Sequence, residues 1–277
     1  MGYKTGSITC EYEAHSFGYD RAIRLFADVM DVEESGVLGC FVEAGAELQR
    51  TQVAPEGDAY TFSQTASTDG VTVKAEDLSE VSVVDVLAAL RAVTNDMDER
   101  RVSTGSRILF ITPTLRGVLD DFSLANPTRS NRVLERFRRI VEVPQVRFYT
   151  AIDLLSGDDD QFGYQKAAGT YVATSDIEVD GLKTYYTKNG DEYTAVASPT
   201  KSGLANYYEL EGAGADINFM VVEKSAVIKY DKHVASRAFS PDELETLGSY
   251  MLKCRKYGIV SVLENKLDGV YVSAGTE

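Results

Sequence analysis

Ile217-Asn-Phe-Met-Val-Val222 is apolar at five of its six positions and is one of the two strongest signals for a core strand in the chain. A run this short and this apolar predicts a strand that is buried on both faces. Arg107-Ile-Leu-Phe-Ile-Thr112 is similarly rich in apolar residues. It lies between the polar turn 103–106 and Pro113, which can begin a short helix. We therefore expect both strands to share the central sheet of a mixed α/β domain.

Two helices are predicted upstream of these strands. Ser82 can cap a helix whose third residue, Asp85, reaches back to it. The apolar residues that follow at helical spacing are Val83, Val86, Leu87, Leu90, Val93 and Met97. The stretch from residue 33 to about residue 66 also has apolar residues three and four apart, and Pro55 interrupts it. Either a new element begins after Pro55 or one long kinked helix continues, and the single helix is favoured.

The N-terminal segment predicts a β-hairpin. Residues 7–13 and 21–29 are strand-like, and His15-Ser-Phe-Gly18 separates them. An isolated two-stranded ribbon is marginally stable in water, so a further surface must cover its apolar face. That surface is either the chain's own core, which is the commoner case, or a neighbouring subunit.

Residues 157–215 are rich in Gly, Asp, Ser, Thr and Tyr. The segment contains three short strand-like pieces, at residues 170–173, 182–187 and 193–197. Because such pieces alternate with turn-forming residues, the segment is interpreted as an inserted β region that faces the surface.

The C-terminal part is predicted to contain a strand, a helix and a hairpin. Residues 226–230 form the expected strand. Ser240-Pro-Asp-Glu243 combines a cap, a proline at the first helical position and an acidic residue, and it predicts a helix to about Cys254. Residues 257–263 and 270–273 are joined through an Asp-Gly turn, which favours a terminal hairpin.

Composition bounds the class of protein. The chain has 277 residues, of which 44% are hydrophobic and 26% charged, as in a globular protein with one large domain or two interleaved ones. Its formal net charge of −15 argues against specific nucleic-acid binding, although it suits a container that holds DNA without adhering to it. We expect no signal peptide and no membrane span. The three cysteines are far apart and predict neither a disulfide framework nor a zinc site.

The chain carries no recognisable catalytic signature. Its two histidines, His15 and His233, are far apart, and sequences of the HExxH, GxSxG and phosphate-binding loop types are absent. Asp158 begins a run that resembles a calcium loop, but Phe162 and Gly169 occupy two of the ligand positions. A solvated acidic turn is therefore favoured there. We predict no catalytic residue, no cofactor and no metal site.

A cluster of basic side chains lies on a helix predicted around residues 129–140. Its members are Arg129, Arg132, Arg136, Arg138 and Arg139. Phe137 is the only aromatic residue among them, whereas a single-stranded nucleic-acid site would interleave several. A face paired with carboxylates or a contact between subunits is the favoured interpretation.

Five stretches that together span most of the chain carry a resemblance to known proteins. They are Phe17-Gly-Tyr-Asp-Arg21, Phe26-Ala-Asp-Val-Met-Asp31, Arg50-Thr-Gln-Val-Ala-Pro-Glu-Gly-Asp-Ala-Tyr60, Phe219-Met-Val-Val-Glu-Lys-Ser-Ala-Val-Ile-Lys-Tyr-Asp-Lys232 and Arg237-Ala-Phe-Ser-Pro-Asp242. The predicted order of elements agrees with them: a hairpin, a long helix, an α/β domain with an insertion, and returning strands. In both respects the chain resembles the tailed-bacteriophage major capsid proteins of the Hong Kong 97 fold.

The resemblance implies an α+β capsid fold built from interleaved domains. Residues 1–80 would form the extended loop and spine helix of a peripheral domain. Residues 81–225 would form an axial domain with a mixed sheet and an inserted β region at about 157–215. Residues 226–277 would return to the peripheral domain.

The resemblance also implies a function in self-assembly. Copies would associate as hexamers and pentamers into an icosahedral head shell, in the host bacterial cytoplasm, and would remain in the virion. Scaffolding, portal and maturation proteins would be further partners, and packaged double-stranded DNA would be contacted non-specifically. The residues expected at subunit interfaces are Tyr12, His15, Phe17, Tyr19, Arg21, Arg24, Arg132 and Arg136.

Two features depart from the family, and three alternatives stay open. The hairpin begins close to Met1 without a preceding arm, and the region 157–215 is longer than a minimal axial domain requires. An encapsulin-like nanocompartment subunit would share the fold and enclose a cargo enzyme instead of DNA. Another virion protein, such as a tail protein, would assemble as rings or tubes. A soluble α/β enzyme would place a site at Asp153, Asp158 and Tyr164 in a deep polar pocket.

Overall fold

The computed structural model describes residues 6, 12–30, 38–78, 82–125, 132–157, 162–174, 184–190, 192–196, 207–243 and 249–276. Its helices are α1 (Leu38–Leu48), α2 (Ala54–Ala66), α3 (Val83–Glu99) and α4 (Pro113–Ala125). Its strands, in chain order, are β1 (Tyr19–Asp28), β2 (Thr72–Ala75), β3 (Arg107–Ile111), β4 (Arg139–Glu142), β5 (Ile152–Leu154), β6 (Tyr164–Lys166), β7 (Ala168–Thr174), β8 (Tyr185–Asn189), β9 (Glu192–Val196), β10 (Tyr207–Ala213), β11 (Ile217–Glu223), β12 (Val227–Phe239), β13 (Ser249–Val262) and β14 (Val270–Ala274).

The central sheet contains both of the predicted core strands. Its order is β2-β14-β11-β3-β4, in which β11 pairs antiparallel with β3 and β14, while β2 and β4 add in parallel at the edges. Phe219 and Val221 of β11 pack into one apolar cluster with α3 and α4. Met220 and Val222 point to the other face and join a second cluster that includes the end of α2. The prediction of a shared, doubly covered central sheet is confirmed.

The two predicted helices are also confirmed. At the start of α3, the Ser82 amide donates to the Asp85 carboxylate at 3.2 Å, and the capping box is complete. Helix α1 continues into α2 through a widened turn, Gln49–Val53, in which the Ala54 amide donates to the carbonyl of Gln49. Pro55 lies just after it. A proline cannot follow a regular helical turn without a clash, and the widened turn accommodates its ring. We call residues 38–66 the long helix; its predicted start at residues 33–37 lies outside the described residues.

Strands β1, β13 and β12 form a separate three-stranded sheet, which we call the ribbon. β13 is its central strand, and it pairs with β1 from Tyr19↔Gly258 to Asp28↔Ser249. The predicted strand at residues 21–29 is therefore confirmed, with a partner from the far end of the chain. Most of its predicted partner, residues 7–13, lies outside the described residues, and Tyr12 and Glu13 are not in a strand.

Two predictions for the C-terminal part are wrong. Instead of a helix to Cys254, Pro241–Glu243 makes a single 3-10 turn and Ser249–Val262 is a strand. The capping contact does form, since the Ser240 amide donates to Glu243 at 3.0 Å, but pairing of β13 on both edges overrides it. The terminal hairpin is wrong because a 3-10 segment, Glu264–Gly269, carries the chain from the ribbon into the central sheet.

The predicted arginine-bearing helix is wrong as well. Leu134–Arg136 forms one 3-10 turn, and Arg139–Glu142 is strand β4, an edge of the central sheet. Ile140 and Val141 are β-branched residues, which favour a strand, and strand β3 provides the partner with which they pair. Arg129 lies outside the described residues.

The inserted region forms its own four-stranded sheet, in the order β7-β10-β8-β9, and β5 pairs with β6 beside it. The predicted piece at 170–173 falls in β7. The piece at 193–197 is described to residue 196 and falls in β9 that far, and the piece at 182–187 is described only from residue 184 onward. The domain division 1–80, 81–225 and 226–277 stays a prediction. Strands β2 and β14, from the first and third of these segments, both lie in the central sheet with β3 and β11.

Candidate assembly surface

Strand β1 presents two different faces because its side chains alternate. Tyr19, Arg21 and Ile23 are buried or half-buried on the side of the long helix. Asp20, Arg24 and the other even-numbered residues are exposed on the opposite side. The ribbon therefore has an inner face that the long helix covers and an outer face on which Asp20, Arg24 and Phe26 are exposed, although Met251 on that face is buried.

The inner face is held by an anchor built around Glu56. This carboxylate is 7% exposed and accepts from the Tyr19 hydroxyl at 2.8 Å and from Arg21 Nε at 2.8 Å. Arg21 Nη2 also donates to the carbonyl of Leu155 at 2.7 Å. Burial, and then the charge of Glu56, raises the pKa of the Tyr19 hydroxyl far above its ordinary value. Glu56 thus links β1 to the long helix, and Arg21 extends the link to the loop after β5.

A cavity of about 450 Å³ lies beside this anchor, between β1 and the widened turn of the long helix. Arg21 and Glu56 line it, but they are already paired with each other. Cys254 also lines the cavity, but its thiol is buried and lies within hydrogen-bonding distance of Ser236 Oγ, at 3.3 Å. No general base accompanies it at the anchor, so no chemistry is assigned to the cavity.

The residues before β1 pack on the ribbon of their own subunit. The Phe17 ring stacks on Tyr257 at a centroid distance of 5.0 Å, with Lys232 Nζ above it at 5.3 Å. His15 Nδ1 is within hydrogen-bonding distance of Ser261 Oγ, at 2.9 Å. His15 Nε2 lies 3.1 Å from Glu13 Oε1 without forming a hydrogen bond. These contacts fix how the chain enters β1.

The eight predicted interface residues fall into two groups. His15, Phe17, Tyr19 and Arg21 make the contacts within the subunit that are given above. Arg136 joins them, since its Nη1 lies 3.3 Å from Asp98 Oδ2 on α3. Tyr12, Arg24 and Arg132 are exposed. The assignment of all eight residues to subunit interfaces stays a prediction.

The alternative enzymatic site is not assembled by the described residues. Asp153 pairs with Gln165, and Tyr164 pairs with Leu154, so Asp153 and Tyr164 point to opposite faces of the β5-β6 sheet. The Tyr164 hydroxyl donates to the carbonyl of Val146 at 2.8 Å. Asp158 and the predicted acidic turn lie outside the described residues.

Over the described ranges, the side chains of His, Cys, Asp and Glu form no group that could hold a metal ion. Within the same ranges, every helix is too short or too polar to cross a bilayer.

Sequence reasoning missed Glu56 and the ion pair between Asp20 and Arg255. Glu56 lies in a stretch that carried the resemblance, immediately after Pro55, but nothing in its neighbours marks it as buried. Its partners are 35 and 37 positions away. Only the pairing of β1 with the ribbon brings them together.

The chain is similar to known proteins in structure but not in sequence. No protein-family model matches the chain, and no curated protein is similar to it in sequence. The structure is similar to the capsid of the cyanophage P-SCSP1u, with a TM-score of 0.54 and 13% identity over 100% of this chain and 81% of that one. It is also similar to the mature capsid of bacteriophage PhiM1, with a TM-score of 0.53 and 13% identity over 100% and 79% of the two chains.

A third similar structure is a virus-like particle from Pyrococcus furiosus, with a TM-score of 0.50 and 9% identity over 92% of this chain and 76% of that one. Identities this low establish architecture rather than activity. The α+β arrangement of ribbon, long helix, central sheet and inserted sheet is the capsid fold of the Hong Kong 97 type, and this chain has that fold.

Proposed function

We propose that the chain is the major capsid protein of a tailed bacteriophage. Many copies assemble as hexamers and pentamers into the icosahedral head shell around the genome. The protein is made in the host bacterial cytoplasm and resides in the virion. The observation that carries the proposal is the match of the whole chain to the capsids of P-SCSP1u and PhiM1.

The ribbon supports a role in assembly rather than catalysis. Its strands β12 and β13 are 13 and 14 residues long, well above the usual five or six. Phe26, on its outer face, is 53% exposed, and Met30 just beyond it is 71% exposed. Apolar side chains of this kind are stabilised when another surface covers them. In a shell, each such contact is modest, and symmetry multiplies it over many copies.

The proposed partners follow from the same role. Tyr12, Arg24, Arg132 and Arg136 are the predicted interface residues that have exposed side chains for a neighbouring subunit, although Arg136 also pairs with Asp98 of its own subunit. Scaffolding, portal and maturation proteins are proposed as the other protein partners. Double-stranded DNA is enclosed and contacted non-specifically, because a net charge of −15 disfavours tight adhesion to phosphate.

Electron microscopy combined with light scattering tests the proposal on the protein expressed alone and with a candidate scaffold. Closed shells, or hexameric and pentameric capsomers, are the expected result. A 30.4 kDa monomer under every condition would contradict it.

A nanocompartment shell is the second candidate, and the likeness to the Pyrococcus furiosus virus-like particle favours it. Particles purified from cells distinguish the two functions by their contents. Nuclease-protected double-stranded DNA supports the phage capsid, whereas a co-purifying protein cargo without DNA supports the nanocompartment.

A further inference from the structure

The outer face of the ribbon carries a row of three cations. Arg24 of β1 lies directly opposite Lys253 of β13, and Lys253 lies directly opposite Arg237 of β12. Residues directly opposite one another in an antiparallel sheet point to the same face, and all three of these residues are exposed. Like charges in this arrangement repel each other, so the row is unfavourable in an isolated subunit.

No carboxylate of the described residues forms an ion pair with this row. The contrast with Arg255 is direct, because Arg255 lies on the same face of β13 and makes two hydrogen bonds to Asp20, at 2.9 and 2.6 Å. Arg237 and Lys253 lie over the ring of Phe239 instead, at 4.9 and 5.0 Å from its centroid. The aromatic ring orients these two cations without neutralising them.

The surroundings of the row are apolar. Phe26, Met251 and Phe239 form the neighbouring row on the same face, in which Phe26 is 53% exposed, Phe239 is half-buried and Met251 is buried. Arginine beside exposed aromatic residues is typical of a protein interface. A surface that contacts DNA is more polar, and its contacts go mainly to phosphate groups.

We propose that Arg24, Lys253 and Arg237 form a docking site for carboxylates on a second copy of this chain. The proposal rests on the proposed function, and it names the chemistry of one contact in the assembly. Each copy has 43 acidic residues and 28 basic ones, so a second copy presents an excess of carboxylates. Contact with them would remove the repulsion within the row and cover Phe26 at the same time.

The test is a triple variant, Arg24→Gln, Lys253→Gln and Arg237→Gln. Glutamine keeps a polar side chain and removes the charge, and relief of the like-charge row leaves the fold at least as stable. The matched control is Arg91→Gln, Arg138→Gln and Lys224→Gln. It removes the same charge from exposed cations for which the described residues show no ion pair.

Assembly is measured by light scattering against protein concentration, at low and high sodium chloride. The triple variant is expected to need about tenfold more protein to assemble, since each exposed pair contributes a modest amount. It should also lose most of the salt dependence that the wild type shows. The control variant should assemble like the wild type.

Four results overturn the proposal. Unchanged assembly of the triple variant overturns it while leaving the proposed function intact, and so does an equal defect in the control variant. Normal assembly combined with loss of binding to a labelled double-stranded DNA assigns the row to phosphate instead. A wild type that never assembles removes the proposed function together with this inference.

Discussion

The central sheet and the ribbon are stabilised in different ways. The central sheet is covered on both faces by apolar clusters of 12 and 10 buried residues. Among the described residues of the ribbon, Val262 at the end of β13 belongs to the second cluster and Val227 of β12 packs against it. The other buried apolar residues of β13 lie outside both clusters: Met251, Leu252, Cys254 and Ile259. The described contacts that hold the rest of the ribbon include the Glu56 anchor, the Phe17–Tyr257 stack and ion pairs such as Asp20–Arg255.

This difference means that the two regions contribute to different properties, the central sheet to folding and the ribbon to assembly. Apolar burial is the dominant favourable contribution to folding, so the central sheet accounts for most of the stability of the subunit. Polar contacts add less to the net free energy, but they fix the orientation of the ribbon, whose outer face keeps Arg24 and Phe26 exposed. Substitutions in the two regions should therefore differ in size and in the property that they change.

The largest expected effect comes from Leu90→Ala in the central core. Leu90 is fully buried between α3 and the sheet, and its truncation leaves a cavity. We expect the free energy of unfolding to fall by about 2 to 5 kcal/mol, measured by urea denaturation. Val84→Ala is the control, because Val84 lies on the same helix and is 69% exposed. A loss for Val84→Ala as large as that for Leu90→Ala would contradict the assignment of the core.

Glu56→Gln should have a smaller and more local effect. The neutral amide cannot match the carboxylate that accepts from both Tyr19 and Arg21, so β1 loses its attachment to the long helix. We expect a loss of about 1 to 3 kcal/mol, with the clearest change in hydrogen exchange at the β1 amides.

The matched control for that variant is Glu47→Gln, which lies on the same long helix. Glu47 pairs with Arg50, and both side chains are exposed. Exposed pairs contribute little, so hydrogen exchange in β1 should not change. Equal exchange in the two variants would show that Glu56 does not anchor the ribbon.

Alkaline pH should weaken both regions through one buried tyrosine in each. Burial raises the pKa of Tyr271, in the central sheet, to about 12, and it raises the pKa of Tyr19, in the ribbon, further still. In the unfolded chain both hydroxyls ionise near pH 10, before they do in the folded protein. The free energy of unfolding that the two neutral hydroxyls contribute is therefore fully present below pH 10. It is lost as the pH rises above 10, by about 1 kcal/mol per pH unit for each tyrosine.

Variants with phenylalanine assign this pH dependence. Tyr271→Phe and Tyr19→Phe should each flatten the decline in urea midpoint above pH 10. Tyr230→Phe is the control, because Tyr230 is 59% exposed. If the three variants all kept the full decline, other groups would be responsible for it.

The sequence predicted the central sheet better than the ribbon, for a physical reason. The apolar runs of β3 and β11, and the capping box at Ser82, are local signals that tertiary packing reinforces. A strong helix cap at Ser240 precedes strand β13, whose true conformation depends on pairing with β12 and with β1 from the far end of the chain. Local propensity cannot report such pairings.

The candidate surface was predictable only in part. The predicted interface residues include Arg24, which the structure leaves exposed, and also Tyr19 and Arg21, which it turns inward to Glu56. Alternation along β1 shows that odd- and even-numbered residues face opposite sides, but it does not show which side the long helix covers. Lys253 and Arg237 were missed because their row exists only once the strand register is known.

The smallest expected effect is that of the Asp20–Arg255 pair, and it sharpens the contrast with Glu56. Its two hydrogen bonds are as short as those of the anchor, and the hydrogen bond from Arg255 lowers the pKa of Asp20. Both side chains are exposed, however, so water and salt screen the attraction in the folded state.

A double-mutant cycle with Asp20→Asn and Arg255→Gln should show no measurable coupling in urea midpoint at neutral pH. Because the lowered pKa belongs to the folded state, any contribution would be present above the ordinary pKa of an aspartate and lost as the pH falls through the folded value. A coupling as large as that between Glu56 and Arg21 would mean that another part of the chain covers the outer face of the ribbon, and that this face is not free for a second copy.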